Sequence, residues 1–293
     1  MITAMEGRAA TSIDPARPVG VFDSGVGGLT VLHELLVRLP HEDYVYLGDT
    51  AHFPYGERTA EEISHFATAI ADVLLQRGAK LLVVACNAAS AAALPRLREH
   101  LDRRHSAVEV IGVVDAAARQ AVAHTHTGRI GLLATPAAVD SGAYRRAVDA
   151  TGEWIELIAV PCPDLAPLIQ SGFPFDAEVM DTVRGYCQPL RQAGVDTVIL
   201  GCTHYPLVAP MLQRMLGPEV TLVGSGESVA RTVQRALAAR GLSRRRDTEG
   251  SYRFLCTGDV TAFEALGSRF LQMPLGEVDH VELPVALASG ERP

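Results

Sequence analysis

The sequence predicts an α/β protein: two pseudo-symmetric, doubly wound, mostly parallel α/β domains with the active site in the cleft between them. Three observations carry that prediction. Short apolar, β-branched runs alternate with segments of helical period along the chain, as in a parallel sheet covered by helices. The 293 residues exceed what one hydrophobic core commonly supports. Four strand-plus-loop units of the first half also recur in the same order in the second.

In that duplication the stretch from Val19 to Ser24 matches Ile130 to Thr135, with Gly20 and Gly131 in register, and Tyr44 to Asp49 matches Ile155 to Val160. Leu81 to Asn87 matches Thr197 to Thr203, and Val110 to Val114 matches Val220 to Gly224. The third pair is the most informative, because Cys86 and Cys202 each end an apolar run and are each followed by a small polar residue. Continuous apolar runs are buried parallel strands, and ligands collect outside the carboxyl ends of such strands. Two like domains facing each other would place the two thiols on opposite walls of one cleft.

Taken in order, residues 1–17 read as a disordered extension. Asp23 and Ser24 end the first strand, and Gly25, Gly27 and Gly28 turn the chain into a helix beginning near Leu29. Free amides at such a start favour an anion, although Thr30 stands where a dinucleotide fingerprint needs its third glycine. The loop from Gly48 to Gly56 can offer the Tyr55 hydroxyl and backbone amides to a ligand. Lys80, the only lysine, reads as a surface residue rather than a cofactor anchor. His204 follows Cys202 by two residues; an imidazolium there would lower the thiol pKa, whereas burial would raise it. Arg244, Arg245 and Arg246 read as a solvated basic loop.

Composition excludes several classes. A net charge of -8 gives no basic excess to recommend nucleic acid as a partner. Five cysteines, an odd number without a Cys-x-x-Cys pair, argue against a disulfide framework and a zinc site, and for a reducing compartment. No apolar stretch approaches the ~20 residues of a membrane span, and the first 17 residues have no signal-peptide core, so a cytoplasmic protein without membrane contact is expected. Two thiols flanked by Asn, Thr and Ser, with the Asp23 carboxylate and the His204 imidazole, suit removal and return of a proton at an amino acid's α-carbon.

The chain resembles the cofactor-independent glutamate racemases of the aspartate/glutamate racemase superfamily. The resemblance rests on Gly20 to Thr30, Gly48-Asp49-Thr50 with Pro54-Tyr55-Gly56, Val84 to Asn87, Leu200 to Leu207, and Thr257-Gly258-Asp259 with Phe263. It runs from about Val19 to about Phe270. It implies Cys86 and Cys202 as paired acid/base thiols, assisted by Asp23 and His204, with Asp49 as a supporting carboxylate. Substrate contacts implied by matched position are Asp23, Ser24, Tyr55, Gly56, Asn87, Ala88, Thr203 and His204. The resemblance also implies no cofactor, a homodimer, D-glutamate supply for peptidoglycan, and exchange of the fourth unit between domains. The first domain would then be 18–108 plus 220–285 and the second 109–219. Three positions depart from the family pattern: Ala88 and Ala138 replace hydroxyl residues, and Gln170 replaces a carboxylate. Each lost substrate hydrogen bond would cost about 0.5 to 1.5 kcal/mol. Alternatives are an aspartate racemase or another two-thiol racemase, a single-thiol hydrolase or lyase, and a non-catalytic two-domain binding protein.

Overall fold

The computed structural model describes residues 13–104, 106–172 and 176–284. Ten strands form two sheets: β1 (Val19–Asp23), β2 (Tyr44–Gly48), β3 (Leu81–Val84), β4 (Glu109–Gly112), β5 (Arg129–Ala134), β6 (Glu156–Pro161), β7 (Thr197–Gly201), β8 (Thr221–Val223), β9 (Tyr252–Cys256) and β10 (Val278–His280). The first sheet has the order β10-β9-β2-β1-β3-β4 and the second β6-β5-β7-β8, and every pairing among the described residues is parallel. The duplication is visible in the pairing itself, since β2-β1-β3-β4 and β6-β5-β7-β8 are the same arrangement used twice. In each, the order reverses beside the first strand of the unit, between β1 and β3 and between β5 and β7. Such a reversal opens a crevice at the carboxyl ends of the strands. Cys86 and Cys202 follow β3 and β7, so each thiol stands at one crevice.

The expected exchange of the fourth units does not occur. β4 pairs with β3 from Leu81↔Glu109 onward, and β8 pairs with β7, so each fourth strand stays in its own half's sheet. Helices make the crossing instead. The helix Val114–His124, after β4, packs on β7, β8 and the helix Ala143–Asp149, whereas the helix Ser225–Ala239, after β8, packs on the helix Leu29–Arg38. By sheet membership β1–β4, β9 and β10 fall together and β5–β8 fall together. The helix Leu29–Arg38 buries Leu29, Leu32, Leu35 and Leu36 in the same core cluster as Val229, Val233 and Leu237 of the helix Ser225–Ala239. Each such side chain contributes about 1.5 to 3 kcal/mol. That core is continuous with Leu133, Val198 and Leu200 of the second sheet.

Three expectations about the surface are corrected. Lys80 is fully buried, and its Nζ donates to Glu42 Oε2, to the Pro15 carbonyl at 2.6 Å and to the Leu242 carbonyl at 2.8 Å. The expected disordered extension falls mostly on residues 1–12, which lie outside the described residues, but 13–17 pack in place: Ile13 lies on the core and Ala16 accepts from Arg244. Arg244 and Arg246 both hold Asp43, leaving Arg245 as the exposed member of the basic run. A charge run reads as solvated when its acidic partner is about 200 residues away in sequence, as Asp43 is.

Candidate active site

Asp23 ends β1 with no exposed surface. Several amides of the glycine turn after it are taken up inside the protein. The amides of Leu29, Thr30 and Val31 bond the carbonyls of Val26, Gly27 and Gly28, and the Gly25 amide bonds Asp23 Oδ1 at 3.0 Å. The buried carboxylate is thus the anion that the turn serves. Burial still dominates and pushes the Asp23 carboxyl up to about 6, against the lowering pull of Gly28, Gly25 and Thr203. Glycine is required by close approach: a Cβ on Gly27 would stand 2.4 Å from Thr203 Oγ1 and 2.5 Å from His204 Nδ1.

Cys86 caps the short helix Asn87–Ala92, where its Sγ accepts from the Ala89 amide at 3.4 Å and lies 3.7 Å from Ser24 Oγ. Burial, and then the Asp23 charge, push its thiol up to about 12. Cys202 follows β7, with Sγ 3.7 Å from His204 Nδ1. Burial raises its thiol even further, and Asp23 and Cys86 add to the effect. Burial alone lowers the His204 imidazole to about 3, so the ring is neutral across the physiological range. Both thiols are therefore protonated at rest and become strong bases once deprotonated.

Ser24, Tyr55, Gly56, Cys86, Asn87, Ala88, Cys202, Thr203 and His204 line one cleft, as the sequence leads one to expect. Asp23 lies behind that wall and bridges the domains, accepting from Thr203 Oγ1 at 3.2 Å. Asp49 lies outside the lining and accepts from the Tyr55 hydroxyl, from Thr257 Oγ1 at 2.6 Å and from His52 Nδ1 at 2.8 Å, which fixes the tyrosine. Asn87 joins three elements, its Oδ1 accepting from the Tyr144 hydroxyl at 2.6 Å and Ser225 Oγ at 3.1 Å. Its Nδ2 is buried with no partner among the described residues. Ala138 is buried but does not line the cleft. The free volume is about 20 Å³, room for about one water and too little for an amino acid.

Sequence reasoning missed Thr135, whose Oγ1 is also buried without a partner and which lines the cleft opposite Gly56. The duplication held the signal, because Thr135 is the counterpart of Ser24. Tyr144 and Ser225 were likewise unforeseen as holders of Asn87. Gln170 proves to be a neighbour of His204, with Oε1 3.0 Å from Nε2. Among the described residues no group of three or more His, Cys, Asp or Glu side chains could hold a metal ion.

Residues 29–233 match the Asp/Glu/hydantoin racemase family, and the chain belongs to it. Curated relatives at 40% identity or more are named glutamate racemases. The glutamate racemase of Mycobacterium ulcerans is 46% identical over 268 residues, covering 91% of this chain and 97% of the relative. The crystal structure of a Bacillus anthracis glutamate racemase superposes with a TM-score of 0.85 at 37% identity, covering 92% of this chain and 98% of that one. The Francisella tularensis glutamate racemase, solved in complex with D-glutamate, gives 0.84 at 30% identity, with the same coverage.

Proposed function

We propose that the chain interconverts L-glutamate and D-glutamate without a cofactor, by two-thiol acid/base catalysis. The observation that carries this reading is the pair of buried thiols, one from each domain, lining a single cleft, with His204 Nδ1 3.7 Å from Cys202 Sγ and the Asp23 charge acting on Cys86. The α-proton of an amino acid is very weakly acidic, so its removal calls for a strong base in a site closed to water. A buried thiolate meets the first demand, and the closed cleft meets the second. In one direction Cys202 passes its proton to His204 Nδ1 and the thiolate takes the α-proton. Cys86 protonates the opposite face, and Asp23 in its protonated form, which predominates below about pH 6, replaces the proton that Cys86 gave up. That turnover leaves Asp23 ionised and His204 protonated, and the reverse turnover returns both protons along the same path. The partnerless Asn87 Nδ2 and Thr135 Oγ1 are suited to the substrate's carboxylate oxygens or amine.

Glutamate as substrate, and D-glutamate supply to peptidoglycan as its use, follow from the relatives' names and from the family resemblance. Cytoplasmic location and a homodimer belong to the same reading; no helix among the described residues is long and apolar enough to cross a membrane. Circular dichroism of L-glutamate, D-glutamate and L-aspartate incubated with the protein tests the substrate. Decay of both glutamate signals to zero with L-aspartate unchanged is expected. Inversion of aspartate alone would transfer the reading to an aspartate racemase, with Ala88 as the first residue to examine.

A further inference from the structure

His204 is buried, with the Phe53 ring 5.5 Å from its centroid, the Phe270 ring edge-on at 5.1 Å and Gly27 against Nδ1. Each ring nitrogen has one polar neighbour, Cys202 Sγ at Nδ1 and Gln170 Oε1 at Nε2. The groups that titrate around it are few. Cys202 lies beside the ring, Asp23 bonds the neighbouring Thr203, and Asp23, Cys86 and Cys162 all act on the Cys202 thiol. The elements carrying Gly27, Phe53, Gln170 and Phe270 meet the ring with the Gly27 backbone, two phenyl rings and the Gln170 amide.

An amide oxygen only accepts, so an imidazole nitrogen facing it must carry the hydrogen. The lone pair is then left on Nδ1, facing the Cys202 thiol. The opposite tautomer would point an N–H at the sulfur, and the ring could not receive the thiol proton. We propose that Gln170 is a positioning residue that fixes His204 in its Nε2–H tautomer, making Nδ1 the atom that receives the Cys202 proton. Being neutral, it leaves the resulting imidazolium without a counter-charge. This inference rests on the two-thiol reading above. It adds that the Cys202 half of the site is a thiol and neutral-imidazole pair rather than a preformed ion pair.

The test uses full-length protein labelled with ¹⁵N-histidine, with the His204 signals assigned by difference from His204→Gln. The wild type is expected to show a protonated Nε2 and an unprotonated Nδ1 from pH 5 to pH 9. In Gln170→Glu the new carboxylate should raise the imidazole midpoint by about one to three pH units. The pH profile of kcat/KM should then gain an ionisation absent from the wild type, identically in both directions because the equilibrium constant of a racemisation is one. Gln170→Leu, which cannot accept, should mix the tautomers and lower kcat/KM by about one to two orders of magnitude. A wild-type Nδ1–H tautomer, or a Gln170→Glu profile superimposable on the wild type, would overturn the proposal. A purely packing role would lower stability in Gln170→Leu while leaving the tautomer and pH profile unmoved, which also overturns it. If the wild type inverts glutamate and the tautomer is wrong, this inference alone fails; if it inverts no amino acid, the two-thiol reading fails first.

Discussion

Asp23 is a carboxyl that the fold would hold more easily without a charge. Its folded-state value of about 6 lies above the value of about 3.9 for an unfolded aspartate, so the native state binds the extra proton between those limits. Stability from this group is present below about pH 4 and is lost as pH rises through about 6. Asp23→Asn removes the titration. Urea unfolding is expected to find the variant more stable than the wild type by about 1 to 3 kcal/mol at pH 8, with no gain at pH 4. Turnover should collapse in the same variant. His204, held near 3, acts in the opposite sense, losing stability as pH falls below about 6.5, but it does so equally in both proteins. At this scale the residues at strand ends were legible, because Asp23, Cys86 and Cys202 sit where the local pattern changes from apolar to polar. The partners of His204 and Asn87 were not, since Gln170, Tyr144 and Ser225 arrive from other elements through tertiary packing.

Among the elements, the junction around Lys80 ties the start of β3 to the segment before β1 and to the loop after the helix Ser225–Ala239. Glu42 completes it by accepting from the Arg244 amide at 2.8 Å. Removing one member of a buried ion pair leaves the other charge uncompensated and costs about 3 to 5 kcal/mol. Lys80→Met should lose about that much in urea unfolding. Its kcat and KM should be unchanged at a temperature where it stays folded, because the junction lies at the ends of the strands away from the cysteines. Unchanged stability would show the pair to be dispensable. A lone lysine beside an apolar strand gives no local hint of burial, since its partner is 38 residues away. Strand membership was misread for a related reason: the helices, not the strands, cross between domains, and strand pairing is set by contacts the linear pattern does not contain.

For the whole molecule, duplication explains why chemistry can run on both faces of a flat intermediate. One strand order used twice gives two crevices, and facing them brings Cys86 and Cys202 to one cleft, with Asp23 to Thr203 and Tyr144 to Asn87 as links across it. The duplicated order of strand units was readable from the sequence, and with it the fold class. How tightly the cleft closes was not, because it depends on Gly27 and Gly56 abutting side chains of the other domain. The most direct test of the two-thiol account is the fate of the α-proton in deuterated water, followed by NMR and circular dichroism. Wild type, Cys86→Ser and Cys202→Ser would be compared, each starting from pure L-glutamate and from pure D-glutamate. The account predicts that early wild-type product carries deuterium at the α-carbon while unreacted substrate keeps its proton, and that each serine variant loses inversion. Product that retains the substrate's own α-proton, or full inversion by either variant, would contradict it.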